Sequence, residues 1–270
     1  MPTYRATRVA LYVYGVLVIL FLYLPLLSVG FASVSKARYL TFPIRKYATQ
    51  WYGKAFESQT VHDLLWTSLS IAGIVTVTSM FIGFFGALAF ARYQWRYRGL
   101  FQKLILLPIF FPQAVLGLAL LMWFNFIGVI PDWKTAVVAH LVWISPIATL
   151  IIAIRAYSFD PALEEAARDM GASTWMVMKE VTVPLLMPGV ISAGLFAFLL
   201  SWGNFPLSLF TTGADSTLPE WLYAKMVMGY SPLVPTVGIL SVATSITLLL
   251  VAFAIPWLIR MTRAKRLRAS

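Results

Sequence analysis

The sequence predicts an all-α integral membrane protein of six transmembrane helices, and three observations carry that prediction. Of 270 residues, 60% are hydrophobic and only 11% are charged, whereas soluble domains carry about 25% charged residues. Mean hydropathy is +0.81. Six apolar stretches reach or approach the roughly 20 residues that a helix needs to cross a hydrocarbon core, and one polar segment of 30 residues separates the fourth from the fifth.

The stretches fall near 9–33, 64–91, 103–127, 135–154, 185–211 and 235–259, read as one transmembrane domain over 1–270. The first follows Arg5 and Arg8, the pattern of a secretory signal, but a signal's apolar region runs only about 7–15 residues. Val9 to Ala32 is almost uninterrupted, so a retained anchor is expected. The second and third are joined by a short acid-free loop with Arg92, Arg96, Arg98 and Lys103. Pro25, Pro108, Pro112, Pro146, Pro188, Pro206 and Pro256 lie within or beside the spans and predict bent helices.

Partitioning the charges fixes an expected orientation. Fourteen of the 21 Lys and Arg fall on one side: at the N-terminus, in 92–103, in 155–184, and in the tail at Arg260, Arg263, Lys265, Arg266 and Arg268. Seven fall on the other, five of them in the 34–63 loop (Lys36, Arg38, Arg45, Lys46, Lys54). The positive-inside rule then places both termini in the cytoplasm. Most of the +11 net charge is thus an orientation signal, and nucleic acid is not an expected partner. No Asp, Glu, Lys or Arg lies deep within a span, which disfavours proton relays and voltage sensors, whose chemistry needs charge at membrane depth. With no Cys, and only His62 and His140, neither a disulfide framework nor a metal site is expected.

The segment 155–184 holds half of all the acids: Asp160, Glu164, Glu165, Asp169 and Glu180. Asp160 before Pro161 reads as a helix N-cap with Pro at the first helical position. The run from Ala162 to Met170 is built of helix formers, and Gly171 supplies a left-handed stop. Ser173 or Thr174 starts a second helix through Trp175 to Met178, ending near Pro184. The predicted product is a helix-turn-helix outside the membrane. It is either a solvated hairpin lying on the bilayer or a docking surface for a soluble partner; interfacial helices usually prefer Lys and Arg on their polar face, and this one is acidic.

Glu165-Ala166-Ala167, Gly171, Val181, Val183 and Pro184 stand at the spacing of a known signature. The segment resembles the Glu-Ala-Ala loop of the membrane permeases of bacterial binding-protein-dependent ATP-binding-cassette importers (type I), with Val at the two aliphatic positions. That resemblance implies a coupling helix that docks on a cytoplasmic ATPase, with Glu164, Glu165, Ala166, Ala167, Gly171 and Pro184 as its coupling residues. It implies Glu165 facing polar groups of the ATPase, Ala166 and Ala167 permitting close approach, Gly171 making the turn, and Pro184 setting the entry angle of span five. The stretch from Ser201 to Gly213, then Leu218-Pro219 and Met226, is similar to polyamine-type permeases.

The resemblance further implies a partner set: a second, unlike permease, two ATPase subunits carrying the ATP and Mg, a periplasmic substrate-binding protein, and the lipid of the bacterial inner membrane. The chain itself would bind no cofactor and would not be an enzyme. It has no Gly-x-x-x-x-Gly-Lys-Ser/Thr phosphate loop. The expected solute is small and organic, polyamine-like or another small nitrogenous compound. Polyamine relatives tend to hold acids where this chain has Gly203 and Asn204, which leaves room for a less cationic solute or for acids supplied by the partner permease.

The residues themselves nominate the same region. Asn204 and Asn125 are amides near membrane depth, where an unsatisfied polar group is costly, and Trp123 and Trp202 offer faces for an ammonium group. With Phe205 they form the candidate pathway set, although amides in spans also bond neighbouring helices and Trp gathers at interfaces. Asp215, Glu220 and Trp221, in the loop before the last span, are the candidate contacts to a binding protein. Two other classes compete: a stand-alone secondary carrier, which lacks the expected intramembrane charge and inverted repeat, and an integral-membrane enzyme, which would need a cluster of acids, His or a nucleophile at the membrane surface.

Overall fold

The computed structural model describes residues 2–37 and 43–269, and the side chains of residues 5, 7–37, 43–252 and 254. Arg38 and the side chains of the basic tail therefore lie outside the described residues. Among the described residues every regular element is helical, apart from one antiparallel bridge between Ser35 and Tyr47. Contacts divide the chain into two compact units, residues 1–62 with 222–251 and residues 63–221 with 252–270.

The first unit contains α1 (Pro2–Ser33), α2 (Gln50–Glu57), the start of α3 (Gln59–Ala87), and parts of the two last helices, Leu218–Met228 and Leu233–Ala269. Of the 34–63 segment, expected as a loop, the described residues 34–37 and 43–63 form a bridge and the helix α2 before α3 begins. The chain pairs with itself through Lys36 N–H to the Lys46 carbonyl and Ala48 N–H to the Val34 carbonyl. Trp51 Nε1 donates to the Ser35 carbonyl at 3.0 Å, and Ser33 and Tyr52 share a hydroxyl bond of 2.8 Å. Thr236 Oγ1 reaches the Ser33 carbonyl at 3.2 Å.

The second unit is built around α6 (Trp133–Ser158). Between α3 and α6 come α4 (Arg98–Leu106) and α5 (Gln113–Phe126), and after α6 come α7 (Ala162–Asp169), α8 (Thr174–Val177), α9 (Val183–Trp202), α10 (Ser208–Thr211), and the beginning of α11 (Leu218–Met228), which precedes α12 (Leu233–Ala269). In α6, 56% of the most apolar window is buried, more than in any other span described. Small residues explain this. Ala136, Ala139, Ala148, Ala153 and Ala156 of α6 and Ala193 and Ala197 of α9 are buried. Lipid tails are as apolar as Leu, so helices in a bilayer associate through close packing of small residues rather than through a hydrophobic force. At Gly189 of α9 an added Cβ would stand 2.9 Å from Cβ of Arg155, a measure of how near the two backbones come.

Among the described residues, five helices are long and apolar enough to cross a membrane. The third predicted span, 103–127, is where the structure departs from a simple rod: Arg98–Phe110 and Gln113–Phe126 meet at a bend of 103°. The pair makes a sixth crossing if it is counted as one broken span. Its cause is local. Leu107–Phe110 tightens to a 3₁₀ turn around Pro108, and Phe111, preceding Pro112, is extended at φ −79° and ψ 135°. A proline ring disfavours the helical region for the residue before it; Phe111 leaves that region, whereas Leu107, before Pro108, stays in it.

Span five also differs. It was expected over 185–211, separate from the hairpin, but a run of helix from Thr174 to Trp202 is unbroken, and Gly203 ends it. Pro184 does not terminate the second hairpin helix. It has no N–H to give the Glu180 carbonyl and its ring would crowd that group, and the chain accommodates this with a π-helical turn, Met178–Thr182, immediately before α9.

Candidate functional site

The polar segment folds as its caps dictate. Asp160 Oδ1 accepts the Ala162 N–H at 2.9 Å, and the Leu163 N–H bonds the Asp160 carbonyl at 3.2 Å. Gly171 sits at φ +89° with open space around its Cα, so the requirement for glycine is conformational and not steric. Ser173 Oγ then accepts the Met176 N–H at 3.3 Å and starts α8.

Helical spacing sorts α7 into two faces. Leu163, Ala166 and Met170, at i, i+3 and i+7, are exposed, as is Glu165, and Met170 is 84% exposed. Trp175 and Met176 extend the apolar surface onto α8. Glu164 and Ala167 face inward, with Ala167 buried. Glu164 Oε2 lies 2.7 Å from Nη2 of Arg92, with both side chains largely covered at 15% and 11% exposure. Its other oxygen, Oε1, accepts the Thr182 hydroxyl at 2.6 Å. The Arg92 guanidinium stacks 4.0 Å over the Phe159 ring centroid. The six expected coupling residues thus divide: Glu165 and Ala166 lie on the surface with Gly171 and Pro184, while Glu164 and Ala167 hold the hairpin to the bundle.

Arg92 and Thr182 escaped sequence reasoning because they lie 72 and 18 residues from Glu164. Each ends a π-helical turn, Leu88–Arg92 after α3 and Met178–Thr182 before α9. The carbonyls at the end of α3 are satisfied from outside the helix. Phe90 O accepts Arg98 Nε at 3.0 Å and Gln102 Nε2 at 2.9 Å, and lies 3.3 Å from the Tyr157 hydroxyl. Ala89 O accepts Trp95 Nε1 at 3.0 Å. The basic loop counted as an orientation signal therefore also closes a helix end.

At the other end of this unit, Asp132 caps α6, accepting from the Lys134 and Thr135 N–H groups at 2.8 and 3.1 Å. Asp215 Oδ2 accepts the Trp133 N–H at 3.0 Å, so two carboxylates occupy the positive end of the α6 dipole. Glu220 is buried and accepts from the Thr217 N–H, the Thr217 hydroxyl at 2.9 Å and the Thr212 hydroxyl at 2.7 Å. Gly213, at φ +64°, has no room for a side chain: a Cβ would collide with the Pro131 carbonyl. Trp221 is half-buried at the same end. Asp215 and Glu220, nominated as contacts to a binding protein, each have partners within this loop and its neighbours.

The candidate pathway residues are not all placed together. Trp202 and Asn204 are buried, with Trp202 stacked on Phe198 at 6.0 Å between centroids. Asn204 Oδ1 accepts the Leu207 N–H at 3.0 Å and its carbonyl accepts the Ser208 hydroxyl at 2.9 Å, which fixes the turn that precedes α10. Phe205 is half-buried. Asn125 and Trp123 lie on α5 and are exposed. His140 is wholly buried, hydrogen-bonded through Nδ1 to Ser201 at 2.9 Å and through Nε2 to Ser208 at 3.0 Å, which joins α6 to α9 and α10.

Comparison with known proteins bears on this arrangement. Residues 79–267 match the family described as binding-protein-dependent transport system inner membrane component. The chain is 29% identical over 221 residues, 78% of each sequence, to the putrescine transport system permease protein PotI of Escherichia coli. It is 25% identical over 233 residues, 86% of this chain and 90% of the relative, to the spermidine/putrescine transport system permease protein PotC of Haemophilus influenzae. Among solved structures, a bacterial ABC transporter involved in import of the acidic polysaccharide alginate superposes with a TM-score of 0.67 at 17% identity, covering 94% of this chain and 97% of that one. The inward-facing MetNI methionine ABC transporter gives 0.61 at 20% identity, covering 73% and 97%. Identities this low establish the shared fold alone. The family match runs from the last third of α3 through the hairpin into α12, and on that extent the chain belongs to the binding-protein-dependent transport system inner membrane components, as a permease subunit of an ABC importer.

Proposed function

We propose that this chain forms half of the translocation pathway of an ATP-driven importer, pairs with a second, unlike permease, and receives a small organic solute from a periplasmic binding protein. The hairpin α7–α8 is the surface on which a cytoplasmic ATPase docks. One observation carries the reading: α7 turns Leu163, Glu165, Ala166 and Met170 outward while Glu164 is tied inward to Arg92 and Thr182. A helix that exposes an apolar stripe flanked by a carboxylate, on a rigid mount, suits a protein partner better than solvent.

Both termini lie in the cytoplasm in this reading, with the hairpin, and ATP and Mg are held by the partner ATPase. This chain supplies no catalytic group. The solute is polyamine-like or another small nitrogenous compound, a reading supported by the likeness to PotI and PotC. Trp202, Asn204 and Phe205 lie nearest to its path, with Asn125 and Trp123 on the α5 side. Asp215 and Glu220 shape the loop that meets the binding protein, and Trp221 lies beside them.

Co-purification from native membranes tests the proposal. The chain should carry an ATPase subunit with it and lose that subunit when Glu165→Lys and Gly171→Val are introduced. A chain that drives uptake in liposomes with no ATPase present would overturn it.

A further inference from the structure

We infer that Glu164 is the positioning residue that makes the hairpin and the end of α3 move as one body, with the two π-helical turns as the places where the long helices yield. The inference rests on the ATP-driven reading above. Three observations converge on it. Glu164 is bonded through both carboxylate oxygens, to Arg92 at 2.7 Å and to Thr182 at 2.6 Å. Those two partners are the last residues of the two π-helical turns described in this unit, Leu88–Arg92 and Met178–Thr182. Arg92 is held in addition by Phe159, at the hairpin's other approach, 4.0 Å from its ring centroid.

The geometry separates stiff from compliant parts. A charge-assisted bond between largely covered groups is short and directional, so it resists shear between α7 and α3. A π turn has lost the regular i→i−4 ladder and is a recurrent feature of functional sites. The Tyr93 N–H spans back to the Leu88 carbonyl at 3.0 Å, and the Val183 N–H makes the equivalent bond to Met178. Displacement of α7 by a docked partner is therefore delivered to α3 through Arg92 and to α9 through Thr182, and is absorbed as changes of pitch at the two turns. Phe84 and Phe85 of α3 also line one cavity with Thr174 and Trp175 of α8, but that neighbourhood is apolar and non-directional; the directional tie of α7 to both turns runs through the Glu164 carboxylate.

This chain has no Cys, so a two-site label on it is clean once the thiols of the partner subunits are blocked. In the complete complex, Gln94→Cys with Met170→Cys reports the distance from the segment just after Arg92 to the hairpin, and Phe126→Cys with Met170→Cys reports the hairpin against the far end of the unit. All three positions are exposed. Electron–electron distances are measured without nucleotide and with ATP plus vanadate. The first distance should stay constant while the second changes, and Glu164→Gln should broaden the first and lower stimulation of ATP hydrolysis by the binding protein about fivefold or more, the lower end of energetic coupling between sites.

A first distance that shifts with nucleotide in the unmodified background, or a Glu164→Gln complex with full stimulation, overturns the inference. A second distance that never changes, or a complex without an ATPase, overturns instead the functional reading on which it rests. Should Glu164→Gln fail to assemble, Thr182→Val carries the test, because it keeps the Arg92 pair and removes only one hydroxyl. It should assemble and lose stimulation, and full stimulation there also refutes the role.

Discussion

Glu220 offers a test in which the structure decides between two roles for one residue. As a surface contact to a binding protein, its loss would reduce association and leave stability alone. The structure instead buries it and gives it the Thr217 N–H, the Thr217 hydroxyl and the Thr212 hydroxyl. The Thr212 hydroxyl also lies 2.9 Å from the Ser208 carbonyl, and one hydroxyl proton serves only one acceptor. In Glu220→Ala, Thr212 turns to Ser208 and loses little, but the Thr217 N–H is stranded, at a cost of about 1–3 kcal/mol for a buried unsatisfied donor. In Glu220→Gln the amide oxygen still accepts from Thr217, and the amide N–H₂ donates to Thr212 as that hydroxyl turns to Ser208. Gln should therefore lie within about 1 kcal/mol of Glu, the net worth of a single hydrogen bond. Unfolding equilibria of the purified chain in mild detergent measure both. If Gln is as damaging as Ala, or Ala is harmless while binding-protein stimulation disappears, the loop-strut argument is wrong.

Other outcomes follow from the same geometry. Gly171→Ala should weaken ATPase association roughly 5–30-fold, the equivalent of the 1–2 kcal/mol that a left-handed residue costs, and Gly171→Asn should recover much of it because no neighbour crowds the position; equal losses would mean that bulk and not φ matters. Gly213→Ala should abolish stable expression because the collision is with backbone at Pro131. Gly194→Ala should be mild by contrast, since its Cβ meets Sδ of Met80 at 2.6 Å and a thioether end can swing aside; thermal unfolding of the two variants side by side checks the order. Arg92→Met should destabilise more than Arg92→Met with Glu164→Gln, because a lone covered carboxylate is worse than none, and a double-mutant cycle on unfolding measures the difference.

How much was legible in the sequence depended on whether the cause of a feature was local. The spans could be read because an apolar run of sufficient length has no other stable use. The hairpin could be read residue by residue, since Asp160, Gly171 and Ser173 act on N–H groups or dihedrals within three positions of themselves. The same reasoning predicts a bend at Pro108 and Pro112 but not its size, 103°, because two prolines four residues apart do not by themselves set the angle. Topology and family likeness nominate Asp215 and Glu220 as contacts to a binding protein, and neither of those grounds reveals the partners the two carboxylates have within the chain. The Trp133 N–H that Asp215 caps is 82 residues away, and no pattern in the chain announces that meeting. Asn204 was nominated for polarity at depth; its amide is occupied three residues on, by the Leu207 N–H. Glu164 was grouped with Glu165 by adjacency, although neighbours on a helix point about 100° apart and only one of them could face out.

The two ends of the second unit use their carboxylates differently, and the difference bears on how motion enters. At the end away from the hairpin, Asp132, Asp215 and Glu220 bond backbone N–H groups of Trp133, Lys134, Thr135 and Thr217, so charge there fixes helix starts and turns in place. At the hairpin end, Glu164 bonds only side chains, and both of its partners sit on turns that have left the α-helical ladder. A carboxylate on backbone N–H groups cannot move without unmaking a cap, whereas one between side chains on widened turns can travel with them. The hairpin has backbone caps of its own, Asp160 on the Ala162 N–H and Ser173 on the Met176 N–H, but α7 is tied to the neighbouring long helices through side chains on deformable turns, whereas the carboxylates at the opposite end hold backbone. That is the arrangement required if displacement arrives at α7 and must pass into α3 and α9 without loosening the loop at the far end.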